Sequence, residues 1–66
     1  MRIFINGEEQ QVPDNLNMAA LVQQLDLADK RFAIEVNEEL VPRSTFDVRH
    51  LQPGDRVEIV HAIGGG

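Results

Sequence analysis

The chain has no cysteine, which excludes a disulfide framework and any metal held by thiolates. Small domains commonly rely on such staples. A domain of this size buries only about 60% of the surface its unfolded chain exposes. Stability must therefore come from packing, for which 42% hydrophobic residues provide the material. Basic residues are also scarce: six Lys and Arg stand against eleven Asp and Glu, a formal net charge of −5. Nonspecific binding to a phosphate backbone draws on Lys and Arg that displace counterions, so no nucleic-acid partner is expected. The acidic balance favours solubility and partners with basic patches. No apolar run approaches the roughly 20 residues of a membrane span, and no membrane association is expected. Met1-Arg2-Ile3-Phe4-Ile5 is too short, and too soon followed by Asn6-Gly7, to act as a secretory signal. The composition thus points to one small, soluble, cytoplasmic domain, a monomer when free.

The apolar pattern that remains sets out an order of elements. Arg2-Ile3-Phe4-Ile5 runs into Asn6-Gly7, a pair suited to a type I′ hairpin turn because both central residues there need positive φ. Glu8 to Val12 then forms a second strand, which Pro13 stops. Alternation places Ile3 and Ile5 on one face, with Arg2 and Phe4 on the other, so Phe4 is expected as an exposed aromatic. Asn17 predicts a helix N-cap, with Leu16 and Leu21 as its hydrophobic staple. Met18, Leu21, Val22 and Leu25 make one helical stripe, and the helix is expected to end near Asp26 to Asp29. Phe32 to Val36 reads as a half-buried strand, Asn37-Glu38-Glu39 as a turn, and Leu40-Val41 as a short strand ended by Pro42. Ser44 to Leu51 has no clean period and reads as a loop with a helical turn. Pro53-Gly54 is a turn dipeptide, after which Arg56 to Ile63 forms the last strand. Its alternation groups Val57, Ile59, His61 and Ile63, with Glu58, Val60 and Ala62 opposite.

At this length such an order leaves one packing solution, an α+β domain with a mixed four- to five-stranded sheet on one main helix. That is the β-grasp, or ubiquitin-like, arrangement, in which the first and last strands pair in parallel at the sheet centre. The expected organisation is a β-grasp domain over residues 1–62 and a Gly-rich tail over 63–66.

Side-chain catalysis finds little support. His50 and His61 fall on different elements, and a histidine near a strand end is ordinarily a surface residue; neither metal ligation nor catalysis is expected of them. Ser44 and Thr45 are accounted for by turn chemistry, and no nucleophile–base–orienter set is visible. Glu35, Glu38 and Glu39 form an acidic patch around a turn, either a solvated face or a guide toward a basic partner. The C-terminus differs in kind. Ala62-Ile63-Gly64-Gly65-Gly66 ends the chain on three glycines. A terminal glycine presents an α-carboxylate with no side chain beside it, on a segment thin enough for a narrow site. A carboxylate is a poor electrophile until one oxygen becomes a leaving group. Adenylation by ATP in another protein would do that, after which sulfur or an amine can attack. Ordering each residue costs about 1–2 kcal/mol, so four tail residues cost on the order of 4–8 kcal/mol that a folded platform must supply. Phe4 and Val60 on the outer sheet face, with the adjoining Ile63, are the candidate docking surface; burying one such side chain contributes roughly 1.5–3 kcal/mol.

Three stretches carry a resemblance over essentially the whole chain. They are Ala33-Ile34-Glu35-Val36-Asn37-Glu38-Glu39-Leu40-Val41-Pro42-Arg43, Pro53-Gly54-Asp55-Arg56-Val57-Glu58-Ile59-Val60, and the final Gly65-Gly66. The chain resembles the ThiS family of thiamine-biosynthesis sulfur carriers, the Val-Asn-x-x-Leu-Val-Pro-Arg stretch being the most specific part. The resemblance implies that Gly66 is adenylated by an E1-like, ThiF-type partner and converted to a thiocarboxylate. An upstream donor protein would supply the sulfur, and a ThiG-type thiazole synthase would receive it. Gly65 and Gly64 would let the end enter the partner's site. ATP and Mg²⁺ would belong to that partner, so this chain would bind no cofactor and would be a co-substrate, not an enzyme. The absence of cysteine fits, because sulfur would ride on the terminal acyl group.

Three other readings are distinguishable. A molybdopterin synthase small subunit shares the fold, the tail and the thiocarboxylate, but the Val-Pro-Arg stretch favours the thiazole branch. A TGS-like RNA-binding module is disfavoured by the net charge and the lack of a basic stripe. In a purely structural interaction domain, Gly66 would have no role.

Overall fold

A computed structural model describes residues 1–61; Ala62 to Gly66, and with them the expected tail and its boundary, lie outside the described residues. The strands are β1 (Arg2–Ile5), β2 (Glu8–Gln11), β3 (Phe32–Val36), β4 (Glu39–Leu40) and β5 (Arg56–His61). A single α-helix, α1 (Met18–Gln24), follows the first hairpin, and a 3-10 turn covers Arg43–Thr45. The strands form one five-stranded sheet in the order β2-β1-β5-β3-β4. β1 and β5 run parallel, pairing Phe4 with Arg56 and Ile5 with Val57, while the remaining pairs are antiparallel. This is the β-grasp arrangement that the order of elements predicts.

The inner face of the sheet follows the alternation. Ile3, Ile34, Val36 and Val57 are buried together with Met18, Leu21 and Val22 of α1 in one cluster. The helix begins where its cap requires: the Asn17 side chain accepts the Ala20 N–H at 2.8 Å. It stops earlier than its apolar stripe suggests. Asp26 adopts φ +58°, and the Asp26 and Leu27 N–H groups donate back to Gln23 O (3.1 Å) and Val22 O (3.0 Å). These paired bonds are those of a Schellman cap, with Asp in the left-handed position that Gly usually takes. Leu25 is consequently 37% exposed, and Leu27 is buried in its place. A stripe can be continued on paper, but a left-handed residue swings the chain back and delivers the next leucine to the core.

The segment without period acquires its order from the helix. The first four amides of an α-helix have no partner within it. Here Met18 N–H donates to Arg49 O (2.8 Å) and Ala19 N–H to Phe46 O (3.0 Å). The Asn17 amide also donates to Asp47 O at 3.1 Å. The loop after β4 is thus a cap for α1, pinned further by the buried Leu51. One strand boundary also moves: β4 is Glu39–Leu40, not Leu40-Val41. Val41 still donates to Ile34 O at 2.9 Å, but it turns into the core, leaving Leu40 exposed.

Candidate docking face and approach to the C-terminal glycines

Among the described residues no helix covers the outer face of the sheet. Alternation along the strands places Arg2 and Phe4 of β1, Arg56, Glu58 and Val60 of β5, Ala33 and Glu35 of β3, and Leu40 of β4 on this side. Phe4 is half-buried, not fully exposed as the alternation alone suggests. The Arg2 guanidinium lies 5.6 Å from its ring centroid, within cation–π range, and Arg2 reaches Glu9 at 4.0 Å. Phe4, Gly7, Arg56 and Glu58 line a concavity of about 270 Å³.

Phe4 and Val60 share this face but not one contact surface. Phe4 is level with Arg56, whereas Val60 stands opposite Ala33. The four-residue step from Arg56 to Val60 amounts to about 13 Å of strand. The side chains therefore line separate concavities, and the expected single patch resolves into two. The shared face was legible from alternation. The spacing was not, because it depends on the β1–β5 register, which no local rule supplies. Ile63, Gly64, Gly65 and Gly66 lie outside the described residues.

The second concavity, about 390 Å³, is lined by Arg31, Phe32, Ala33, Arg43, Val60 and His61, at the end of β5 from which the chain continues to Gly66. Val60 is 58% exposed. Arg43 is fixed here: its Nη2 donates to Phe32 O (3.2 Å) and Lys30 O (3.3 Å). Its guanidinium carbon lies 4.3 Å from the Phe32 ring centroid, and Phe32 stacks on Phe46 with centroids 6.3 Å apart. Thr45 Oγ1 donates to Pro42 O at 2.7 Å, closing the 3-10 turn that carries Arg43.

At the other end of β3 the chemistry is acidic. Glu38 and Glu39 are exposed on the turn and Glu35 is half-buried. Glu35 faces Glu58 across the β3–β5 pair, an arrangement of like charges that weakens a sheet. The histidines remain apart: His50 Nδ1 lies 3.0 Å from Asn15 O, and His61 is paired across the sheet with Phe32. Among the described residues no group of three His, Asp or Glu is placed to hold a metal ion, and no helix is long and apolar enough to cross a membrane.

The residues behind the resemblance are mostly scaffold. Val36 and Val41 are core. The Asn37 amide donates to Asp55 Oδ1 and its Oδ1 accepts the Arg56 N–H, each at 3.0 Å. Arg43 braces the start of β3, and Leu40 and Val60, 65% and 58% exposed, offer large apolar side chains outward.

A five-stranded β-grasp sheet on one helix, with an open outer face leading along its central strand toward a glycine-terminated end, defines a ubiquitin-like domain. Comparison with known proteins narrows this. The ThiS family model matches residues 2–66, and the chain belongs to that family. It is 29% identical over 66 residues to the sulfur carrier protein ThiS of Escherichia coli, covering all of both chains. It is 38% identical over 66 residues to a thiazole synthase of Paramagnetospirillum magneticum. All of this chain is matched there, but it spans only 20% of the length of that protein and of a second thiazole synthase, from Magnetococcus marinus. The crystal structure of the thiamine biosynthesis protein ThiS from Geobacter metallireducens superposes with a TM-score of 0.87 at 32% identity, covering 100% of each chain.

Proposed function

We propose that this chain is a sulfur carrier for the thiazole moiety of thiamine, with the Gly66 α-carboxylate as the carrying group. The observation that carries this reading is the family match, which runs through Gly66 itself. Full-length similarity to a sulfur carrier protein supports it. The names of the two thiazole synthases favour the thiazole branch over the molybdopterin branch.

In this mechanism a Gly66 carboxylate oxygen attacks the α-phosphorus of ATP in a ThiF-type partner that holds the Mg²⁺, and pyrophosphate leaves. A persulfide sulfur on a donor protein then attacks the acyl carbon and AMP leaves; a thiol then attacks the donor sulfur of the acyl disulfide, forming a disulfide with it and releasing the thiocarboxylate. Thiazole synthase takes the sulfur and returns the carboxylate. The chain does no chemistry of its own. It supplies an end narrow enough to enter another protein's site, with Gly64 and Gly65 adding no side chains, and a folded domain to dock. The outer face, with Phe4 and the exposed Val60 in separate concavities, is the docking platform, and Ile63 is assigned to it as well. The domain comprises residues 1–62 and the tail 63–66, and the free carrier is a cytoplasmic monomer.

Intact-mass measurement of the chain isolated from its own cell tests this. A single oxygen-to-sulfur exchange, located on Gly66 by fragmentation, is the expected result, and a chain lacking Gly66 should show none. Thiazole formation that persists with the Gly66 deletion would overturn the proposal.

A further inference from the structure

The net charge of −5 hides a local reversal. Of the six basic residues, Lys30, Arg31 and Arg43 gather where β3 begins and β5 ends. The concavity there is lined by Arg31, Arg43 and His61 around Phe32, Ala33 and Val60, with no carboxylate side chain among the described lining residues. Neither arginine makes an ion pair among the described residues. A partner that matched only the acidic surface would present cations here and be repelled.

We infer that this corner docks a carboxylate-bearing segment of the adenylating partner, beside the entrance through which the C-terminal glycines pass. The inference rests on the carrier reading and adds a second surface, of opposite sign, to it. Three features support it. Arg43 is already immobilised by two carbonyls and the Phe32 ring, so little further side-chain entropy is lost when a ligand binds. Only its Nη2 is used among the described residues, which leaves the Nε and Nη1 hydrogens to donate one at a time to carboxylate oxygens as charge-assisted hydrogen bonds. The corner is also continuous with the chain that leads to Gly66. Five residues beyond His61 span at most about 18 Å when extended, so a partner working on the terminal carboxylate necessarily comes close to the corner.

Charge of both signs also fixes orientation. The acidic turn at Glu38 and Glu39 lies at the opposite end of β3 from Arg31 and Phe32. A partner with complementary patches would dock in one sense, the case in which electrostatics contributes specificity and association rate.

The test titrates the full chain into the ThiF-type enzyme from the same cell with ATP and Mg²⁺, reading affinity and pyrophosphate release. Arg31 is exposed and makes no side-chain hydrogen bond among the described residues, so Arg31→Glu should fold normally and weaken binding about tenfold, with a flatter salt dependence. Arg31→Gln should weaken it less. Arg49→Glu, the same charge change on the loop that caps α1, should bind as the unaltered chain does. Full affinity of Arg31→Glu, or an equal loss in Arg49→Glu, would overturn the corner as a docking site while leaving the carrier function standing. No pyrophosphate release with the unaltered chain would overturn the carrier reading and this inference with it.

Discussion

Asn6-Gly7 and Asn37-Glu38 are the same two-residue turn, built on either side of β5 and held in different ways. All four residues have positive φ: 49° and 84° in the first, 52° and 70° in the second. That is the backbone of a type I′ turn, whose twist matches the flanking strands. Each leading Asn also reaches sideways to β5. Asn6 Oδ1 accepts the Ile59 N–H at 2.8 Å, and Asn37 Oδ1 accepts the Arg56 N–H at 3.0 Å. In the first turn a local rule covers the second position, since Gly7 adopts positive φ without a Cβ penalty. The second turn places Glu38 in a region that costs an L-residue about 1–2 kcal/mol. It is kept there by a tertiary clip: Asn37 Nδ2 to the buried Asp55, whose other oxygen accepts the Gln52 N–H at 2.9 Å. With an Asn bond to β5 common to both, the second position is thus held either by glycine or by a further bond spanning eighteen positions.

Substitutions separate these two modes. Asn37→Ala should have the largest effect, because it strands the Arg56 N–H and removes a donor from the buried Asp55 carboxylate. The expected loss is about 2–3 kcal/mol in urea unfolding, and a loss below 1 kcal/mol would mean that water replaces the clip and that the turn is locally determined after all. Gly7→Ala should cost about 1 kcal/mol. No atom lies within 4 Å of the added Cβ, so backbone conformation alone accounts for the effect. Glu38→Gly should be the smallest and opposite in sign, a rise in unfolding midpoint worth up to about 1 kcal/mol, because relief of the left-handed strain is partly offset by glycine's greater unfolded-state freedom. A clear loss of stability would show instead that the Glu38 side chain makes a favourable interaction.

The same division runs through the candidate site. The value of the C-terminal glycines was legible because it rests on what a terminal carboxylate can do, and no fold is needed to see that. The outer-face placement of Phe4 and Val60 was legible from alternation. Their separation into two concavities was not, and neither was the basic corner. Arg31, Arg43 and His61 are far apart in sequence and meet only because β3 and β5 pair with Phe32 opposite His61. Arg43 stood out only as part of the Val-Pro-Arg stretch, with nothing nearby to indicate that it would stack on Phe32.

Local chemistry by itself determined the strands, the first hairpin, the start of the helix at Asn17 and the order of elements that admits only a β-grasp. Each depends on side-chain period or on a cap acting within one turn. Tertiary structure decided where the helix ends, why Leu27 and not Leu25 enters the core, how Ser44 to Leu51 becomes ordered, and which charges face each other across the sheet. Those outcomes depend on a left-handed Asp26 that delivers Leu27 to the packed core, on the register of β3 and β5, and on helix amides bonded to carbonyls about thirty residues away, and contacts at that distance leave no periodic trace along the chain.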